Sequence, residues 1–177
     1  MLRVRWRRSR TTEPVDSGSC ACGEPLDPVD MDYGFSLPDV LFAMPEDERR
    51  RRCRGRSRLV HVEGHGGFVR VVLPVRLDEG SVQIGLWLQL SGEDTERADT
   101  VWDEPEYAGL RLTGTVANDC PPWGARLLGA VATAEAVSVD ELPRVTGGDA
   151  VTRSLLEEVW SRAELLDALP ALRHPAH

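Results

Sequence analysis

Residues 58–91 read RLVHVEGHGGFVRVVLPVRLDEGSVQIGLWLQLS, and the fold turns on how this stretch pairs with itself. It divides into three strands, RLVHVE, FVRVVLPVRL and VQIGLWLQLS, separated by the glycine-containing turn segments GHGG (64–67) and DEGS (78–81). Alternation is clean in all three. Val60 and Val62 share a face of the first strand; Val69, Val71, Leu73, Val75 and Leu77 one of the second; Val82, Ile84, Leu86, Leu88 and Leu90 one of the third. A turn at Glu79-Gly80 sets Asp78 opposite Ser81 and Val71 opposite Leu88; a turn across 64–67 sets Glu63 opposite Phe68 and Val60 opposite Val71. In that register every one of these apolar side chains lies on one side of the sheet, and a one-residue slip breaks the pattern. The other side then carries His61, Arg70 and Gln89 in one row, Leu59, Val72 and Trp87 in the next, and Glu63 with Phe68 beyond. Pro74 cannot donate a ladder bond, which predicts an irregularity in the middle strand.

Upstream, PDVLFAMPEDERRRRC (38–53) predicts two short helices, started by Pro38 and Pro45. In the second, Glu46, Asp47 and Glu48 occupy the first turn and Arg49 to Arg52 the last, an order that complements the helix dipole. The Arg run therefore reads as a solvated helix end rather than a nucleic-acid patch. Residues 1–19 mix five Arg with Ser, Thr, Pro and Gly without periodicity, and read as a disordered basic tail ahead of a single domain over 20–177. Downstream, 93–102 predicts a short helix, GLRLTGTV and ARLLGAVAT two further strands, and AVSVDEL a short strand or edge. Thr146-Gly-Gly-Asp149 resembles a capping box opening a long helix to about Leu169, with Val151, Leu155, Leu156, Val159, Trp160, Ala163 and Leu166 as its apolar stripe. The expected class is α+β: an antiparallel sheet of about five to six strands, with helices on one face including that long C-terminal one.

The 177 residues suit one domain with a real core, and the net charge of -8 opposes general nucleic-acid binding. Charge is uneven: residues 1–58 carry twelve Arg against ten acids, and residues 59–177 nine Arg against nineteen. All 21 basic residues are Arg, which reads as a composition bias. No apolar run is long enough to span a membrane. The start, MLRVRWRRSR, is basic like a signal n-region, yet no apolar h-region follows it. A cytoplasmic protein with reduced thiols is expected.

From Cys20 to about Leu169 the chain resembles an uncharacterised bacterial family, domain of unknown function 2199. The resemblance rests on Cys22-Gly23, EDERRRRC (46–53), FVRV (68–71), IGLWLQLS (84–91), PEYAGL (105–110) and Arg144-Val145-Thr146. It departs from the family pattern at Ile84, where a Trp is usual, at Val71, where a Gly is usual, and at Ser19, where the first Cys of a Cys-x-x-Cys would stand. The resemblance implies a fold and no activity.

Few residues form a chemical pattern. Cys20 and Cys22 are one Cys-x-Cys, half of a zinc site at most, with Cys53 and Cys120 alone. They are weak metal candidates beside the plainer reading of a loop thiol pair, and no cofactor is expected. Cys120, in NDCPPWG, needs His61 or His65 brought close to act as a nucleophile. GHGG lacks the Lys-Ser/Thr of a phosphate loop, and the acidic pairs Asp103-Glu104 and Asp140-Glu141 have no partner pattern. The one constellation is the predicted sheet face of His61, Glu63, Arg70, Trp87 and Gln89, where Arg and Trp can stack. Against it stands a packing reading, with Trp87 covered by the C-terminal helix and Arg70 paired to Glu63. The expectation is a non-catalytic protein-interaction module whose partner is another protein. The alternatives are a small-ligand binder or enzyme using the His61/Arg70/Trp87 face, and a zinc-stabilised fold.

Overall fold

A computed structural model describes residues 30–169. The predicted tail over 1–19, and Cys20 and Cys22, lie outside them. The chain runs through β1 (Asp30–Gly34), α1 (Asp39–Phe42), α2 (Glu46–Arg52), β2 (Cys53–Gly55), β3 (Leu59–Val62), β4 (Gly66–Leu77), β5 (Ser81–Leu90) and α3 (Gly92–Val101). Then follow a single 3-10 turn at Pro105–Tyr107, β6 (Arg111–Val116), β7 (Val131–Glu135), β8 (Arg144–Gly148), α4 (Ala150–Glu157), β9 (Val159–Trp160) and α5 (Arg162–Ala168).

The nine strands form one mixed sheet, and β4, β5, β6, β7 and β8 close on themselves as a five-stranded barrel. This corrects the expectation of an antiparallel sheet with helices on one face. The long strands β4 and β5 make it possible, because each splits an edge between successive partners. One edge of β4 takes β3 over Gly66–Val69, β8 at Val72 and β9 at Arg76–Leu77. The outer edge of β5 takes β1, in parallel, over Ser81–Gly85 and then β6 over Leu88–Leu90. The β4–β8 and β4–β9 pairings are parallel too. The barrel interior is the apolar face read from β4 and β5, joined by Leu112, Ala132, Ala134 and Val145, with Leu155 and Leu165 packed against it.

The other correction is the terminal helix, which is broken. Asp149, not Thr146, is the N-cap of α4: its side chain accepts from Thr152 N and Val131 N, and these bonds hold its carboxyl below the usual carboxylate range. Thr146 lies in β8. α4 ends at Glu158, whose backbone is extended, and the next two residues pair with β4. Ser161 caps a new helix through Glu164 N. The Ser161-x-x-Glu164 spacing is itself a helix-start signal. AVSVDEL forms no strand, and only the last three residues of ARLLGAVAT, Val131 to Thr133, enter one.

Pairing of the three opening strands keeps their apolar face but shifts the register. Val71 faces Leu86 and Val69 faces Leu88, an offset of two that leaves each side chain on its expected side. At the first hairpin the offset is three: Leu59 faces Val69, Val60 faces Phe68 and His61 faces Gly67. The loop is the three residues Glu63-Gly64-His65, with positive-φ backbone at its centre, Gly64, and just after it, Gly66. An odd offset turns the whole first strand over. Val60 and Val62 now join Phe68 and Trp87 in a second, smaller core, and His61 points to the side of Val69.

Helix α3 docks where Gly67 leaves room. A Cβ built there would stand 2.2 and 2.3 Å from Cγ2 and Oγ1 of Thr95, which is itself buried. Gly67→Ala is expected to lower stability by about 1–3 kcal/mol in chemical denaturation, the cost of overpacking a rigid contact. Pairing it with Thr95→Ala should return part of the loss. Strictly additive effects of the two changes would show that this contact does not set the approach of α3.

Candidate functional site

A groove of about 630 Å³ opens on the surface. Its walls come from the end of α2 and β2 (Arg51, Arg52, Arg54), from β3 and its turn (His61, Glu63, Gly64), and from the start of α3 (Thr95, Glu96). Each wall follows from local sequence. In α2 the acids precede the arginines by four residues, so Glu46–Arg50, Asp47–Arg51 and Glu48–Arg52 pair along the helix. Arg52 also donates to Glu63 O at 2.6 Å, tying the helix end to the β3–β4 turn. The chain passes from Arg52 into β2 without a loop, and β2 pairs Arg54 with His61. Arg54 is exposed and makes no ion pair among the described residues. The β2 strand ends the strand order, so no strand among the described residues lies along its outer edge.

The residues singled out in the sequence are divided by the fold. His61 and Glu63 line the groove. Gln89 is exposed and donates to His65 O at 2.6 Å, at the outer side of the same turn. Arg70 and Trp87 face each other across β4 and β5 on the opposite side of the sheet from His61. Trp87 is 1% exposed, packed with Leu41, Met44, Val62 and Phe68, and its indole donates to Phe35 O at 3.1 Å. The segment that covers it precedes the barrel in sequence and is not the C-terminal helix.

Arg70 lies half-buried over paired glycines. A Cβ at Gly34 would meet its Nη2 at 2.8 Å, and one at Gly85 at 3.4 Å. Its Nε is buried without a hydrogen-bond partner, and it forms no ion pair with Glu63. Burial, then the nearby charge of Arg58, lowers the pKa of the guanidinium.

Cys120 is fully buried in the main core, and its thiol is pushed up to about 12 by burial and by the carboxylates of Asp119 and Asp39. Such a thiol stays protonated and is a poor nucleophile. Cys53 is raised as well, by burial, against the opposing pull of Arg49 and Arg52. Among the described residues no group of three His, Cys, Asp or Glu side chains is placed to hold a metal ion.

Sequence reasoning missed Arg51, Arg52, Arg54, Thr95 and Glu96 as groove residues. The three arginines belong to the most basic stretch of the chain, seven Arg and no acid over residues 49–58. That local excess was the available signal. No helix among the described residues is long and apolar enough to cross a membrane.

A family described as "Uncharacterized protein conserved in bacteria (DUF2199)" matches residues 19–150. The chain belongs to that family. No curated protein and no solved structure matches it.

Proposed function

We propose that this member of the DUF2199 family is a non-catalytic binding module, and that its groove seats an acidic segment of a partner protein. The observation that carries the reading is the convergence of Arg51, Arg52, Arg54 and His61 on one open concavity, with Arg54 in no ion pair among the described residues. A basic patch on an otherwise acidic chain gives a partner one favourable approach and repels acidic surfaces elsewhere. The outer edge of β2, which pairs with no strand among the described residues, adds main-chain donors and acceptors beside the groove, the setting in which an extended peptide adds to a sheet. Glu63 and Glu96 place negative charge at two points of the wall, which favours spaced acids over a continuous run.

Fluorescence anisotropy with a labelled peptide of alternating Glu and Gly is the test. Binding should weaken with salt, and Arg54→Glu should reduce affinity about tenfold, one charge-assisted contact turned into a repulsion. Equal affinity for wild type and variant would remove the groove from the reading. Tighter binding of a single-stranded oligonucleotide than of the peptide would replace the protein partner by a nucleic acid.

The zinc-stabilised reading rests on Cys20 and Cys22, outside the described residues. The small-ligand reading of the sheet face loses support from the placement of Trp87 and Arg70 away from His61.

A further inference from the structure

On the face of the sheet that carries Trp87, two arginines stand directly opposite each other. Arg70 N donates to Arg58 O at 2.8 Å, one place beyond the Leu59–Val69 pair, so the two side chains leave antiparallel segments on the same side. Both are partly buried, and neither joins an ion pair among the described residues. Arg58 Nη1 donates to Asp140 O at 3.4 Å, a main-chain oxygen that brings no compensating charge. The Arg70 Nε is shut off from solvent without a partner, whereas its two Nη groups are not shut off. The guanidinium lies over Gly34 and Gly85, with Nη2 2.8 Å from where a Cβ at Gly34 would stand. Like charges directly opposite weaken a sheet, and an uncompensated charge costs more the deeper it is buried. Covering two glycines needs no charge, and the Arg58 charge adds to burial in disfavouring the charged form of Arg70. On a chain of net charge -8, the pair is a fixed concentration of positive charge that no described residue neutralises.

We propose that Arg58 and Arg70 together bind a phosphate group, free or carried by a small phosphate ester. The Nη groups of Arg70 and the guanidinium of Arg58 donate to its oxygens. A phosphate carries close to two negative charges at neutral pH, so it compensates both cations, which a single carboxylate does not. Gly34 and Gly85 leave the room in which the Arg70 guanidinium lies flat, and so fix the direction in which its Nη groups point. Two such contacts at a partly exposed site suit a dissociation constant of about 1 mM. The site uses neither His61 nor Trp87. It lies on the opposite side of the sheet from the Arg54 groove and does not depend on it.

The test is the thermal unfolding midpoint of the full chain with and without about 20 mM inorganic phosphate, ionic strength being held with sodium chloride, and with acetate and glycerol 3-phosphate in parallel. Phosphate should raise the wild-type midpoint by about 4 °C. Arg58→Gln should unfold no earlier than wild type without phosphate, because it removes one of two opposed like charges, yet should lose most of the phosphate gain. Gly34→Ala keeps both charges and meets only the flexible end of Arg70, so it should fold while displacing Nη2 and also lose most of the gain. These two variants carry the test where Arg70→Gln does not fold. Arg54→Glu should keep the full gain. A larger gain with glycerol 3-phosphate than with phosphate would assign the site to an ester, and an equal one to the free ion. A wild-type midpoint that phosphate does not move would overturn the proposal. So would a gain that Arg58→Gln retains, which is the general effect of phosphate on protein surfaces. Loss of the gain in Arg54→Glu would move phosphate to the groove, and acetate as effective as phosphate would replace it by a carboxylate; either result would overturn the proposal.

Discussion

Asn118→Ala is expected to lower the stability of the protein by about 3 kcal/mol, from the loss of buried hydrogen bonds that nothing else replaces. Asn118 is fully buried just beyond the end of β6. Its Oδ1 accepts from Trp87 N at 2.9 Å; its Nδ2 donates to Leu37 O at 2.9 Å and to Asp39 Oδ1 at 3.0 Å. The position is set by topology. Strand β5 hands its outer edge from β1 to β6 between Gly85 and Leu88, so the amide of Trp87 has no strand partner at the changeover. Asn118 fills the gap and in the same step fastens the α1 segment, whose Asp39 also accepts from Asp119 N at 2.6 Å. With Ala there, the buried N–H of Trp87 and the part-buried carbonyl of Leu37 lose their partner. Chemical denaturation should show a lower midpoint at an unchanged slope, and hydrogen exchange should show the Trp87 amide opening faster. A loss under about 1 kcal/mol would show that water takes over both partners.

Asn118 also shows what was legible in the sequence and what was not. The apolar alternation of β4 and β5 was readable because both strands are long and each has one face in the barrel core. The helix α2 was readable because its acids and arginines satisfy the dipole and the four-residue spacing at once. Closure of the barrel was not: the β4–β8 seam is a single bridge, Val72 to Arg144, supported by Val72 N donating to Pro143 O. Such a seam leaves no periodic trace. The break at Glu158 was hidden for the opposite reason, since Val159 and Trp160 fit a helical stripe as well as they fit a two-residue strand. The partners of β1 and β6 on β5 are likewise invisible without knowing that one strand edge is shared, so the buried polar role of Asn118 had no sequence signature.

The groove depended on the length of one turn. GHGG holds three glycines within four residues, so several loop lengths are sterically open, and an odd change in length exchanges the two faces of β3. The actual three-residue loop put His61 beside Arg54 in the groove and put Val60 and Val62 over Trp87.

Replacement of Trp87 by Ala is accordingly expected to cost about 3–5 kcal/mol of stability, the range for deleting a large buried aromatic. The small core around Trp87 holds few large side chains, Leu41, Met44, Phe68 and Val62 among them, and cannot collapse far to fill the space. Trp87→Phe separates packing from hydrogen bonding. It keeps much of the apolar volume but leaves the carbonyl of Phe35 without its indole donor, for a loss of about 1–2 kcal/mol. The same variant distinguishes a packing residue from a recognition residue. Anisotropy with the acidic peptide should give an unchanged affinity for Trp87→Phe, because the indole lies on the far side of the sheet from Arg54 and His61. An indole used for recognition would behave in reverse, with binding lost and the denaturation midpoint unmoved. That outcome would require Trp87 to be reachable from solvent, and so would contradict the turned-over first strand on which the groove itself is built.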